Sequence, residues 1–416
     1  MKQKIKVLLC LLTTFSLVCM AGVENTFATS GLKVHYIDVG SGDAIYLECD
    51  GENMLIDGGY LSQSDRMDDE TTRSDLEHLL HNDSLNNIDE NSPDFMSQLR
   101  LLLTQNNNSD VSRYLDSLGV KNINYVISSH PHFDHLGGLL QVINKYTYDH
   151  IYYNGRDYTT RYYRYFKKLA ADNASSGKVR AVLQVPQRNE VFQLGSAKVT
   201  FLSDQSTDYS TISGNGDADN NGSLVIRVDY GKRSFLLTGD IQVAAQQQLM
   251  KNNPNAISNI DVLKVPHHGH TNNDFSVSSH SGNYEFFLKV NPVISIVQCG
   301  TTNTSVTIPT NKVKNDLSMS DIYTTKDHGN IVLECDGQHI DIKYKNSVYH
   351  AFVTGDINGD GKITPSDYVM ARRQILGTLT LTGNGRITAD INGDGKVTPS
   401  DYVLIRRHIL GTYQIQ

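Results

Sequence analysis

The stretch SSHPHFDHLGG, residues 128 to 138, follows directly on a strand-like run, INYVISS. It sets His130, His132, Asp134 and His135 within six positions. A loop leaving a buried strand can aim alternate side chains at one point. Imidazole nitrogens and carboxylate oxygens are suitable ligands for zinc, manganese or iron. Four such residues exceed what one structural site needs from one loop, and they fit two neighbouring metals that share it.

Further donors follow strand-like runs. SFLLTGD ends in Asp240, and IDVLKVPHHGH contains His267, His268 and His270. A carboxylate after an apolar strand can bridge two metals, and a metal pair can activate water and stabilise the charge that develops during hydrolysis. Other short runs, VHYIDVG, AIYLECD, NMLIDGG, KVTFLS, SLVIRVDY, VISIVQCG and IVLECDG, are rich in β-branched or aromatic residues. Helical candidates lie between them at Asp110–Leu118, Arg161–Asp172 and Val243–Lys251. This alternation over residues 31–348 predicts a layered α/β domain. Residues 60–109 break it with Asp, Asn, Ser and Glu, and read as a surface insertion, helical near Asp94–Leu103, or as a lid.

The order IDVGSGD, LIDGG, HPHFDHLGG, SLVIRV, FLLTGD, VLKVPHHG resembles the metallo-β-lactamase superfamily, and more closely the soluble domain of ComEC competence proteins. The resemblance implies an αββα sandwich with two divalent metals, zinc or manganese, at one edge. It implies that His130 and His132 hold one metal and that Asp134 and His135 hold the other. Asp240 would bridge, and His267 or His268 would complete the second site, His268 being preferred. Asp57 would support the ligands from behind, and Asp43 lies in a G-D turn facing the same cleft. The implied catalytic carboxylates are Asp134, Asp240 and Asp43. Many superfamily hydrolases carry another His before the run equivalent to SLVIRV. Here the chain reads GDADNNGS, so Asp219, Asn220 or Asn221 stands in. Ser41, His270 and the pair Ile308-Pro309 also depart from the usual ComEC residues.

The C-terminal region repeats. DINGDGKITPSDYVMARRQILGT starts at Asp356 and DINGDGKVTPSDYVLIRRHILGT at Asp390, with 19 of 23 positions identical. Such identity marks an internal duplication. The first copy offers Asp356, Asn358, Asp360, the Lys362 carbonyl and Asp367. The second offers Asp390, Asn392, Asp394, the Lys396 carbonyl and Asp401. This spacing supplies the oxygen ligands that calcium takes from a flexible loop, although position twelve is Asp where an EF-hand has Glu. Two loop-helix units of this kind resemble a type I dockerin over residues 351–416. The resemblance implies two calcium ions and a cohesin partner on a scaffold, as in cellulosomes. It places the cohesin contacts at Pro365, Ser366, Tyr368, Arg372 and Arg373, and at Pro399, Ser400, Tyr402, Arg406 and Arg407. Without it, the paired arginines read as a solvated helix face.

The N-terminus, basic MKQKIK followed by VLLCLLTTFSLVCMAGV, predicts a secretory signal peptide over residues 1–28 and no lasting membrane association. Cys49, Cys299 and Cys335 then remain, too few for a disulfide framework. The net charge of −8 gives no global case for nucleic-acid binding. Locally, YTYDHIYYNGRDYTTRYYRYFKK, residues 146–168, interleaves Tyr with Arg and Lys. It reads as a stacking platform for a nucleic-acid strand or a sugar, or as a packed helix with Tyr162, Phe166 and Leu169 inward and Arg161, Arg164 and Lys168 in water. The expected function is a secreted two-metal hydrolase of phosphodiester bonds in nucleic acid or nucleotides, held on a scaffold. The alternatives are a hydrolase of an ester, lactone or carbohydrate-linked bond, and a binding module with a degenerate site.

Overall fold

The computed structural model describes residues 31–61, 92–105, 109–179, 181–203, 205–209, 217–271, 280–300 and 307–415. The leader at 1–28 and most of the insertion at 60–109 lie outside the described residues.

Apolar runs become strands in two sheets. Strands β1 (Leu32–Tyr36), β2 (Ile45–Cys49), β3 (Glu52–Ile56), β4 (Asn122–Ile127), β5 (Thr147–Tyr152) and β6 (Leu183–Gln184) belong to the first. The second contains β7 (Val191–Leu194), β8 (Ala197–Phe201), β9 (Ile226–Tyr230), β10 (Arg233–Leu237), β11 (Val262–Lys264), β12 (Ile294–Val297) and β13 (Asp321–Thr324). The chain then returns to the first sheet through β14 (Ile331–Cys335), β15 (Ile340–Tyr344) and β16 (Ser347–Ala351). The first sheet runs in the order β16-β15-β14-β1-β2-β3-β4-β5-β6, and the second in the order β13-β12-β11-β10-β9-β8-β7.

Alternate residues of the two sheets meet in one core, with Val34, Tyr36, Leu47 and Met54 joining Val199, Phe201, Val228 and Phe235. Helices cover the outer faces. Leu136, Leu139, Phe166 and Leu169 line one, and Leu249, Phe286, Phe287 and Val313 line the other. The result is the expected αββα sandwich. The parallel strands β11 and β12 are buried at every position, as strands covered on both faces must be.

The expected helices form at Pro93–Gln105, Asp110–Ser117, Arg161–Ser175 and Val243–Asn252. The tyrosine-rich stretch folds largely inward, with Tyr146, Tyr148, Tyr152, Tyr163 and Tyr165 in the core and Tyr162 half-buried. It therefore presents a packed helix rather than an open row of rings. All three described cysteines are free and buried.

The site is positioned by strand ends. β3 pairs parallel with β4, and β10 pairs parallel with β11. Their C-terminal ends lead into Asp57, Ser128–His130, Asp240 and Pro266–His268 respectively. Helix Phe133–Lys145 then packs its Gly137-Gly138 pair on the Asp57–Gly59 turn, where Gly138 N donates to Gly59 O at 2.8 Å. A β-carbon at Gly138 would collide with Gly58 O, so this approach requires glycine.

Beyond β16, helices Pro365–Ile375, Gly383–Thr388 and Pro399–Ile409 form a small all-α unit around Ile357, Ala371, Leu381 and Ile405. Thr364 with Asp367, and Thr398 with Asp401, form capping boxes at the first and last of these helices.

Candidate metal centre

His130, His135, Asp240 and His268 converge with their side chains almost fully buried. Hydrogen bonds on the far side of each imidazole fix which nitrogen faces inward. His135 Nδ1 donates to Asp57 Oδ2 at 2.9 Å, and His268 Nδ1 donates to the Gln298 carbonyl at 2.9 Å. Ser129 Oγ donates its only proton to Asp57 Oδ2 at 2.5 Å, so at 3.0 Å it accepts from His130 Nδ1. All three Nε2 atoms are thereby presented to one centre, an arrangement in which outer partners set the tautomer of metal-ligating histidines.

Carboxylates face these nitrogens. Asp240 Oδ2 lies 3.1 Å from His135 Nε2 and 3.1 Å from His268 Nε2. Asp134 Oδ2 lies 3.2 Å from His268 Nε2 and 3.7 Å from His135 Nε2. His130 Nε2 has no hydrogen-bond partner among the described residues, and His135 Nε2 is misaligned for a hydrogen bond to Asp240. His268 Nε2 is hydrogen-bonded to Asp134 Oδ2, but the two unsatisfied imidazole nitrogens of His130 and His135, buried beside carboxylates, fit a set built around a cation.

The electrostatics agree. Burial opposes charge on every group. Around His135 it is outweighed by Asp240, Asp134 and Asp43, which hold that imidazole well above its ordinary value. His268 is likewise held up to about 10, against burial, by Asp240 and Asp134. Asp134 is held below the usual carboxylate range by His135 and His268. Asp240 is held well below that range by His135, His268 and Lys264. Burial and the neighbouring His135 and His132 push His130 down, so it is neutral with an open lone pair.

A divalent ion must therefore displace protons from His135 and His268. Affinity is expected to rise with pH through the neutral range, by about tenfold per pH unit for each displaced proton. Competition against a chromophoric chelator at several pH values measures this, and a pH-independent affinity would contradict the arrangement.

His132 lies at the rim, its Nε2 3.9 Å from Asp219 Oδ2. His132, Asp217 and Asp219 form a second group whose ligand atoms lie within 4.8 Å of one another. Asp217 also caps the short helix Ala218–Asn221 through the N–H groups of Asp219 and Asn220. Asn221 accepts from Gln242 N and Ala245 N, while Asn220 Oδ1 is buried without a hydrogen-bond partner among the described residues. Asp219 is thus the residue of this segment that faces His132.

Asp43 belongs to the buried cluster with His135, Asp240 and His268, but it approaches the imidazoles from behind. Its oxygens lie 3.5 Å from His268 Nδ1 and 3.8 Å from His135 Nδ1. His267 is set apart. It is half-buried, and its Nδ1 meets Gln242 Nε2 at 3.1 Å.

Three residues of the site were not singled out in the sequence: Ser129, Gln298 and Lys264. Lys264 is fully buried, paired with Asp43, and 3.3 Å from Asp240 Oδ1. A lysine inside the apolar run VLKV was the available signal, since a buried cation requires a partner.

Residues 37–277 match the metallo-beta-lactamase superfamily. The chain belongs to that superfamily. Residues 354–410 match the dockerin type I domain. Among curated proteins, ComE operon protein 3 of Bacillus subtilis (strain 168) is 30% identical over 176 residues, covering 41% of this chain and 20% of that protein. Recombination protein 2 of Haemophilus influenzae is 38% identical over 87 residues, 21% of this chain and 9% of that protein. The chain thus spans a fifth or less of the length of these relatives. Among solved structures, the metallo-beta-lactamase fold protein YhfI from Bacillus subtilis is 12% identical with a TM-score of 0.38, covering 73% of this chain and all of that one.

In the dockerin, Asp356 accepts from Gly359 N, Asp360 N and Gly361 N at 2.8–3.1 Å. Asp367 accepts from Ile357 N and Thr364 N at 2.8 Å. Asp390 and Asp401 repeat the pattern in the second loop. These bonds curl each loop around carboxylate and amide oxygens, a donor set that suits calcium. Pro365, Ser366, Arg372, Arg373 and their repeats Pro399, Ser400, Arg406 and Arg407 are exposed. Tyr368 and Tyr402 instead stack on each other at 4.3 Å between the two helices. Beside the arginines, Val369, Leu376, Val403 and Leu410 are exposed apolar residues in matching positions of the two repeats. No helix among the described residues is long and apolar enough to cross a membrane.

Proposed function

We propose that the chain is a secreted two-metal phosphodiesterase, held on a cohesin-bearing scaffold by its dockerin. In this reading residues 1–28 are a removed leader, 31–348 the hydrolase domain and 351–416 the dockerin. The observation that carries it is the buried convergence of His130, His135, His268 and Asp240, with the half-buried Asp134 at the mouth and imidazole nitrogens facing carboxylates across one centre. A binding module with a degenerate site would have no reason to keep so costly a set of buried ionisable groups, two of whose imidazole nitrogens, on His130 and His135, have no hydrogen-bond partner among the described residues.

His130, His132 and Asp219 would hold one metal, and Asp134, His135 and His268 the other, with Asp240 between them. Zinc and manganese both suit this mixture of imidazole and carboxylate. When bound, such a pair supplies activated water at neutral pH and neutralises charge on a phosphoryl oxygen. The chain's own groups do the rest. Asp57 and the Gln298 carbonyl hold the imidazoles of His135 and His268 in place. Lys264 sets a fixed positive charge 3.3 Å from Asp240 Oδ1, and the half-buried Asp134 presents its carboxylate at the mouth of the site. Arg156 lies against Gly222 on the same side as Asp219, donating from Nη2 to Thr207 O with its guanidinium 5.1 Å from the Tyr209 ring centroid, so it adds a fixed positive charge near the rim. A guanidinium there favours an anionic substrate.

The test is cleavage of single- and double-stranded DNA and of a chromogenic phosphodiester with zinc or manganese, beside His132→Ala. Metal-dependent cleavage that the variant loses is the expected result. Tight metal binding without phosphodiester cleavage would redirect the search to esters, lactones and carbohydrate-linked bonds.

A further inference from the structure

We propose that the two calcium loops, nearly identical in sequence, are unequal in the folded chain: β16, the edge strand of the first sheet, clamps the first loop, which releases its calcium more slowly than the second. The inference rests on the calcium-binding dockerin reading above and extends it to the contact between the two domains.

The clamp is β16. His350 N donates to Gly359 O at 3.0 Å, inside the first loop. A β-carbon at Gly359 would run into the Tyr349 ring, and one at Gly361 would come within 2.9 Å of His350 Cδ2. His350 is itself held by Asp341, at 2.7 Å from Nδ1. A β-carbon at Gly393 or Gly395, the matching glycines of the second loop, would meet nothing within 4 Å among the described residues. Burial follows the same division. Asp356 and Gly359 are buried and Asn358 half-buried, whereas their counterparts Asp390, Gly393 and Asn392 are half-buried, exposed and exposed; residues 360–362 and 394–396 are exposed in both loops.

A second anchor locks the joint. Asn384, fully buried in the helix between the repeats, donates from its backbone N to Asp321 Oδ2 at 2.8 Å and from Nδ2 to Tyr349 OH at 3.1 Å. Its Oδ1 accepts from Phe352 N at 2.6 Å. Gly383 N donates to Met319 O at 2.9 Å. Met319 and Asp321 belong to the hydrolase domain, so the dockerin is seated on it by contacts from two separate segments.

A loop already fixed by its neighbours loses less conformational freedom when it closes on an ion. Attraction between the ion and a carboxylate shielded from water is also stronger. Release from the first loop must open it against β16, while the second opens into solvent. By linkage, calcium in the first loop in turn strengthens the joint between the domains.

The experiment uses the full chain, stripped with chelator and reloaded. Asp394→Ala leaves the first loop as the intact site, and Asp360→Ala leaves the second. Stopped-flow mixing with a fluorescent chelator reads calcium release from each. The first loop is expected to release at least about tenfold more slowly. Tyr349→Ala added to Asp394→Ala is expected to bring that rate close to the second loop's. Added to Asp360→Ala, it should leave release unchanged, which also shows that the dockerin remains folded. Equal release from the two single-loop chains, or no effect of Tyr349→Ala on the first loop, overturns the inference and leaves the calcium reading standing. Failure of the unaltered chain to take up calcium overturns both.

Discussion

On the proposed function, His268→Ala is expected to lower turnover of a chromogenic phosphodiester at least about a thousandfold, because the metal it would help hold would supply activated water at neutral pH. It should also remove one of the two bound metals, whereas His267→Ala should leave both quantities near the unaltered value. The two histidines are adjacent and both adopt left-handed backbone conformations, at φ 49° and 52°. Such geometry in consecutive non-glycine residues is strained and persists where surrounding contacts hold it. The turn sends the two rings to different places. His268 enters the centre, with Nδ1 on the Gln298 carbonyl and Nε2 near both Asp134 and Asp240. His267 stays half-buried, against Gln242 and the His270 ring, whose centroid is 4.9 Å away. Elemental analysis of metal content beside steady-state kinetics distinguishes them. Retained metal and turnover in His268→Ala, with loss of both in His267→Ala, would reverse the assignment.

How much of the site could be read beforehand depended on whether its geometry is local. His130, His132, Asp134 and His135 lie on one loop and the start of one helix, so their spacing already implied convergence. Asp240 and His268 were legible because each follows an apolar strand, and strand ends in such sheets gather along one edge. Lys264 and Gln298 were not. Their roles arise because β10, β11 and β12 lie side by side, which spacing along the chain does not reveal. The tyrosine-rich stretch presented the opposite difficulty. Its composition suits a stacking surface as well as a core, and only the packing of Tyr148, Tyr163, Phe166 and Leu169 distinguishes the two. The proposed inequality of the calcium loops leaves almost no trace in repeats that share 19 of 23 residues, because it would come from β16, which lies outside both repeats.

The largest stability effect is expected at Lys264. Replacing it with Met, of similar volume, should destabilise the metal-stripped protein by about 3–5 kcal/mol at pH 8, because a buried charge loses its partner. Its ammonium contacts Asp43, lies 3.3 Å from Asp240 Oδ1 and donates to Gly239 O at 3.0 Å. Burial already pushes the Asp43 carboxyl up against the pull of Lys264, and removing the lysine pushes it further. A carboxyl whose folded pKa lies above its unfolded value favours folding at low pH, and that contribution is lost as pH rises through the folded pKa. The deficit of Lys264→Met should therefore be smaller at pH 5 than at pH 8. Asp43→Asn combined with Lys264→Met should recover part of the loss, since the variant then buries one fewer unpaired charge. Denaturant unfolding of the stripped chain at both pH values measures this. A loss near zero at pH 8, or one that grows toward pH 5, would mean that Lys264 does not hold these carboxylates ionised and that charge balance at the site comes from His135 and His268 alone.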